Sequence, residues 1–175
     1  MDNIKKICII GGSGSGKTTL SNNLSSELGI PVTHIDGIHH LENWKVRDKE
    51  ERDRIIYKII DGTEWITDGT YLSTLEERAK RADLVIFLDY STIARLWSAI
   101  LRFLKNHGKE KLDIPGCKEQ INLEFLKMVI GFRKEKRPKI MDKLSKINED
   151  KVLIFKNRRQ LNKWFQMEFN KKMKL

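Results

Sequence analysis

The sequence predicts an α/β fold in which a mainly parallel sheet is covered by helices on both faces. Three observations carry this reading. Five short β-rich runs are spread along the 175 residues. The segments between them repeat apolar residues at helical spacing. One run, "VIFLD" at 85–89, is apolar almost throughout, as a strand buried on both faces must be. Strands alternating with helices imply βαβ crossovers and therefore parallel pairing.

The first run, Ile7–Ile10, stops at the glycine pair Gly11 and Gly12. Leu20, Leu24 and Leu28 then recur every fourth residue, and Gly29 ends that helix as its C′ residue. The second run is Val32–Ile35. Behind the charged stretch "RDKEERDR", Ile55, Ile56, Ile59 and Ile60 make the stripe of another helix. Trp65–Thr67 and Leu84–Leu88 are the third and fourth runs. Leu96, Ile100, Leu101 and Leu104 form a further stripe. From 105 to 139 no strand is expected. Pro115-Gly116 marks a turn there, and 122–131 reads as helix. So long an excursion predicts a lid. Val152–Phe155 is the fifth run, and Leu161, Trp164, Phe165 and Phe169 pattern the last helix. No repeat, low-complexity linker or boundary divides the chain, so one domain over 1–175 is expected, with the lid inserted at about 105–139.

Hydrophobic residues are 39% and charged residues 33%, the balance of a globular domain. No apolar run approaches the ~20 residues of a membrane span. "MDNIKK" lacks the apolar core of a signal peptide, so a cytoplasmic protein is expected. Cys8 and Cys117 lack metal-ligand spacing and read as free thiols. The net charge of +10 raises nucleic acid as a partner. Its densest stretches are "RKEKRPK", Arg133–Lys139, and "KKMK", Lys171–Lys174, the second reading as a frayed, solvated end.

Gly11, Gly16, Lys17 and Thr18 match G-x-x-x-x-G-K-[ST], with a strand before and a helix after. A loop whose N–H groups all face one anion needs dihedrals that side chains forbid, hence Gly11, Gly12, Gly14 and Gly16, with Ser13 and Ser15 between them. The helix that follows adds its N-terminal N–H groups and dipole. Lys17 is expected at the β- and γ-phosphates of ATP, Thr18 on Mg²⁺ and Thr19 at the α-phosphate. No guanine-selecting Asn-Lys-x-Asp occurs, and no strand ends in Asp-Glu. Without a water-polarising Glu, transfer to an acceptor is favoured over hydrolysis. Asp68 and Asp89 are the candidates for the metal-side acid.

"WITDGTY", residues 65–71, resembles the third-strand Asp-Gly of adenylate-kinase-type enzymes. That resemblance implies that Asp68 holds Mg²⁺ through water. "ADLVIFLD" resembles their fourth strand, followed by a helix bearing arginines, here Arg95 and Arg102. More closely, the chain is similar over almost its full length to the small P-loop proteins of the DNA topology modulation, or FlaR-related, family. The matching stretches are the phosphate loop, Gly29–Asp36, Trp44, Trp65–Tyr71, Arg78–Asp89 and Leu123–Leu126. The resemblance implies a three-layer P-loop NTPase fold, adenylate-kinase-like, with sheet order 2-3-1-4-5. It implies no substrate.

Asp36 falls at the carboxyl end of the second strand, where ligands bind in open α/β sheets. In the similar shikimate and gluconate kinases an Asp near this position contacts the acceptor hydroxyl, so Asp36 is the candidate to orient an alcohol or take its proton. The plainer alternative is an Asp capping the next turn. His39 and His40 are candidate acceptor-pocket residues, or else face solvent. His34 reads as structural. Trp44 is a stacking platform or a loop anchor, and Gly69 and Tyr71 border the same cleft. Arg133 and Arg137 are the first candidates to neutralise the transferring phosphoryl group, then Arg102, with Arg95 and Arg78 behind. Asn157 and Arg158, after the last strand, are candidates to seat adenine. The expected function is ATP- and Mg²⁺-dependent phosphoryl transfer to a nucleotide, nucleoside or other hydroxyl compound, by a monomer or homodimer. The rivals are an ATP-switched nucleic-acid-associated protein, with Phe132 beside the basic stretch, and a phosphate-loop protein that binds nucleotide without catalysis.

Overall fold

The computed structural model describes residues 3–111 and 114–173. Strands β1 (Lys6–Gly11), β2 (Val32–His34), β3 (Trp65–Asp68), β4 (Leu84–Leu88) and β7 (Val152–Phe155) form one sheet in the order β2-β3-β1-β4-β7. All its pairings are parallel. Counted along the sheet strands alone, this is the expected order 2-3-1-4-5. The register sets Ile9 beside Asp68 and Gly11 beside Leu88, so the ends of β3 and β4 flank the start of the phosphate loop.

The period-two alternation of the strands separates two cores. Cys8, Ile10, Val85 and Phe87 face one way, onto α3 (Lys49–Ile60), α4 (Leu72–Arg81) and α7 (Arg137–Leu144). Ile7, Ile9, Ile86 and Leu88 face the other, onto α1 (Lys17–Leu28) and α8 (Arg158–Phe169). Each such fully buried apolar side chain contributes ~1.5–3 kcal/mol relative to exposure. Gly29 ends α1 with φ 72 and an N–H bond to Ser25, the C′ role its place after Leu28 predicts.

Three differences from the sequence reading have physical causes. Ile35 does not close β2 but opens a short helix, α2 (Ile35–His39), so Asp36 lies on helix rather than at a strand tip. The region from 105 to 139 contains an antiparallel pair, β5 (Glu110–Lys111) and β6 (Ile114–Lys118), ahead of α6 (Leu123–Glu135). A two-residue strand carries no periodic signal. Helix α5 (Thr92–Asn106) forms, but most of its expected stripe points outward: Ile100 and Leu101 are exposed and Leu104 is 68% exposed, with Leu96 half-buried, while its buried face holds Arg95 and Ala99. At the other end of the chain Lys171 pairs with Glu27 at 2.6 Å, and Lys174 lies outside the described residues.

Candidate active site

The phosphate loop has the backbone its glycines predict. Gly14 and Gly16 stand at φ 80 and 88, and Ser15 N–H closes a turn onto Gly12 O at 3.1 Å. Glycine at 14 is also a packing requirement, because a Cβ there would fall on the Arg95 carbonyl oxygen. Gly11 is clasped by Thr70, whose hydroxyl accepts from its N–H at 2.9 Å and donates to its carbonyl at 2.8 Å. The start of α1 has no side-chain cap, which leaves its first N–H groups to an anion. Lys17 Nζ folds back to Gly12 O at 3.4 Å, over the loop. Burial lowers the Lys17 pKa, against the opposing charges of Asp36 and Asp68.

Asp68 is one of the two candidates for the metal-side acid. It is buried at the end of β3 and accepts from Ser21 Oγ at 2.6 Å, with His34 Nδ1 at 2.9 Å. Both contacts end on Oδ2, so Oδ1 keeps its lone pairs. Ser21 Oγ also bonds Thr18 O, which ties this acid to the turn bearing Thr18. A hydroxyl and a carboxylate are hard oxygen donors suited to Mg²⁺. Bent glycine backbone, uncapped helix and lysine likewise suit a nucleotide's phosphates. Asp89, the other candidate acid, has a different role. Its fully buried carboxylate holds Arg137 Nε and Nη2 at 2.9 Å and Lys156 Nζ at 2.7 Å.

Beyond the loop a cavity of about 1330 Å³ opens. Gly11, Gly12, Ser13 and Lys17 form one end of its lining, and Asp36, His39, His40, Trp44 and Tyr71 continue it. Tyr71 OH donates to Asp36 Oδ1 at 2.7 Å. Burial opposes ionisation of Asp36, but the Lys17 charge and this hydrogen bond outweigh it and hold the carboxyl below the usual carboxylate range. Burial and the Asp36 charge in turn drive the Tyr71 pKa up, so its hydroxyl stays a donor. His39 packs edge-on to Tyr71, and burial lowers its pKa. Trp44 has φ 62, and its N–H meets Cys117 Sγ at 3.2 Å, so hairpin β5–β6 is fastened to the acceptor-side loop. Gly69 has φ 138, and a Cβ there would press on Ile35 at 2.9 Å. It does not itself line the cavity; its missing side chain leaves room for Ile35 and the Tyr71 ring.

The remaining candidates fall elsewhere. Arg133 is exposed and outside the cavity lining, because Val129 and Phe132 take the inward positions of α6. Arg137 is committed to Asp89. Arg102 pairs with buried Glu119 at 2.9 Å, with its charge still felt at Lys17. Arg78 is fully buried beneath the sheet, donating to Tyr71 O and Thr74 Oγ1, and does not line the cavity. Asn157 caps α8 by accepting from Gln160 N–H at 2.9 Å. Arg158 is exposed beside it, and neither lines the cavity. Thr19 is half-buried, and its carbonyl accepts from Asn23 at 2.7 Å.

Sequence reasoning missed Arg52. It is buried in the cavity wall with its guanidinium 4.8 Å from the Tyr71 ring centroid, and it pairs with Asp53. Its signal was present: Arg52 lies four residues before Ile56 and eight before Ile60, on the buried face of α3. Lys136 and Lys139, rather than Arg133, carry the basic stretch into the cavity.

No protein-family model and no curated protein sequence matches the chain. Solved structures do match its fold. A shikimate kinase from Acinetobacter baumannii, in complex with shikimate, aligns over 98% of this chain and 97% of its own, at 18% identity and a TM-score of 0.61. A shikimate kinase from Bacteroides thetaiotaomicron aligns over 96% and 99%, at 15% identity and 0.56. A sugar kinase from Janibacter sp. HTCC2649 aligns over 94% and 93%, at 14% identity and 0.52. At these identities the likeness establishes the architecture: the chain has the three-layer α/β fold of these small kinases.

Proposed function

We propose that this protein is a small-molecule kinase that transfers the γ-phosphoryl group of ATP to a hydroxyl group. The observation that carries the proposal is the shared cavity. The lysine of the phosphate loop and an ionised Asp36, oriented by Tyr71, line one space under α6 and the hairpin. The fold likeness to kinases supports the same reading.

The residues divide the work. The backbone from Gly12 to Gly16 and the start of α1 hold the nucleotide's phosphates. Thr18 and Asp68 would hold Mg²⁺, which would supply charge neutralisation at the phosphates. Asp36 accepts a hydrogen bond from the acceptor hydroxyl, aims its oxygen at the phosphorus and takes its proton as the new P–O bond forms. Lys17 neutralises charge on the phosphoryl oxygens and on the departing ADP. A negative Asp36 favours a neutral hydroxyl over a phosphate as the attacking group, since a phosphate oxygen would meet like charge.

The test is acceptor-dependent ADP release across nucleosides, nucleotides, sugars and sugar phosphates. The expected result is one acceptor class turned over, and a loss of about 10²–10⁴-fold in turnover for Lys17→Ala with the fold intact. ATP hydrolysis that no acceptor stimulates, together with tight duplex-DNA binding, would instead support the nucleic-acid-associated reading drawn from the resemblance.

A further inference from the structure

The cavity holds more positive charge than its own carboxylates balance. Among the described residues, seven basic side chains line it against three acidic ones. Several are already paired. Arg52 holds Asp53, Lys143 reaches Glu76 at 3.3 Å, and the cavity's Asp142 is taken by Lys146 at 3.1 Å. Lys49, Lys136 and Lys139 make no ion pair among the described residues. Lys136 is half-buried at the junction of α6 and α7, where its charge is felt at His39. Lys139 lies one turn along, on α7. Helix α7 packs on α4, and α4 packs on α3, the helix that Lys49 begins. Lys136 and Lys139 therefore stand one helical turn apart on the wall whose charge reaches His39, and Lys49 lines the same cavity from the start of α3.

We propose that Lys136 and Lys139, with Lys49, form a subsite for a phosphate group already carried by the acceptor, so the substrate is a phosphorylated hydroxyl compound. This rests on the kinase reading and narrows it. The reacting group must be a hydroxyl, because Asp36 is ionised beside it. The binding group is an anion, because Lys49, Lys136 and Lys139 outnumber Glu124, the one lining carboxylate beyond Asp36 and Asp142 among the described residues. Lysine ammonium groups are compact point charges, which suit a dianionic phosphate approached from several sides. A planar carboxylate would be better matched by an arginine fork, and the one arginine lining this cavity, Arg52, is engaged by Asp53. Phe125, Met128 and Phe132 of α6 line the same cavity and give the acceptor's body an apolar wall.

The test separates this subsite from the phosphate loop by filling the loop first. Protein saturated with Mg²⁺ and the non-hydrolysable ATP analogue AMP-PNP is titrated with inorganic phosphate, and separately with acetate, by calorimetry. Saturable phosphate binding is expected, weakened about tenfold or more in the Lys136→Gln/Lys139→Gln variant through lost charge-assisted hydrogen bonds. Acetate is expected to bind much more weakly. Unchanged AMP-PNP binding by the variant shows that it is folded. Absent phosphate binding, phosphate binding indifferent to the substitutions, or tighter binding of acetate would each overturn the proposal. Failure of AMP-PNP itself to bind would instead overturn the kinase reading beneath it, and is recorded before any phosphate is added.

Discussion

At the scale of single residues, Asp36 and Tyr71 set the pH range of the proposed chemistry. The folded Asp36 pKa lies below its ordinary value, so the proton-accepting form is present at neutral pH and is lost only as pH falls through that lowered value. Tyr71→Phe removes one of the interactions that lower it. The acid limb of kcat should therefore move to higher pH in Tyr71→Phe, while Asp36→Asn should lower kcat at every pH and leave AMP-PNP affinity nearly unchanged. An acid limb unmoved by Tyr71→Phe would show that another group controls it. The glycines supply a second prediction at this scale. Gly16 has open space where its Cβ would go, so Gly16→Ala carries only the left-handed backbone penalty of about 1–2 kcal/mol. Gly14 carries the same penalty and also a clash with the Arg95 backbone, which cannot rotate away. Thermal melts should rank Gly14→Ala well below Gly16→Ala, and equal melting temperatures would refute the packing argument.

At the scale of elements, one buried carboxylate joins three of them. Asp89 follows β4, Arg137 begins α7, and Lys156 follows β7. Burial opposes ionisation of Asp89, but the Arg137 and Lys156 contacts overcome this and lower its pKa. Asp89→Asn keeps the shape and removes the charge, at a cost of about 2–4 kcal/mol in urea unfolding at pH 7. The sign of the pH dependence follows from the direction of the shift. A carboxyl that titrates lower when folded stabilises above about pH 4 and loses that contribution as pH falls through the folded value. The gap between wild type and Asp89→Asn should shrink below pH 4, and a gap constant to pH 2 would show that the charge is not its source. Elements also divide what the sequence made legible from what it hid. Strands β4 and β7 and the closing glycine of α1 were legible because apolar runs and Gly29 are local signals. The buried arginines were hidden because a charged residue reads as solvated. Arg52 shares a helical face with Ile56 and Ile60, Arg78 with Leu75 and Ala82, and Arg95 with Ala99. That register gave the burial away, though not the partners, which come from distant chain.

At the scale of the whole molecule, the phosphate loop and helix α6 meet at Arg95. Its Nη2 donates to Val129 O of α6 at 2.9 Å, and its Cζ lies 4.7 Å from the Phe132 ring centroid. Its Nε donates to the Tyr90 carbonyl at 3.3 Å. On the other side the Arg95 guanidinium packs against Gly12, where a Cβ would stand 2.9 Å from Cζ, and Nη1 is buried with no hydrogen-bond partner. A cation in this position makes no ion pair among the described residues, and both N–H donors of Nη1 go unused there. Arg95 is costly to the fold, and what it brings is a rigid path from loop to α6. Replacing such a group with an apolar side chain of similar length often leaves stability unchanged or raises it. Arg95→Met should therefore melt within a few degrees of wild type, or higher. It should nonetheless lose most of the melting-temperature rise that Mg²⁺ and AMP-PNP give, because the loop is no longer braced before the ligand arrives. Amide exchange in α6 should quicken with nucleotide present, since Val129 O has lost its donor. A melting temperature lower by ten degrees or more would mean that Arg95 holds the fold itself, and a full ligand-induced rise would mean that loop and α6 act independently.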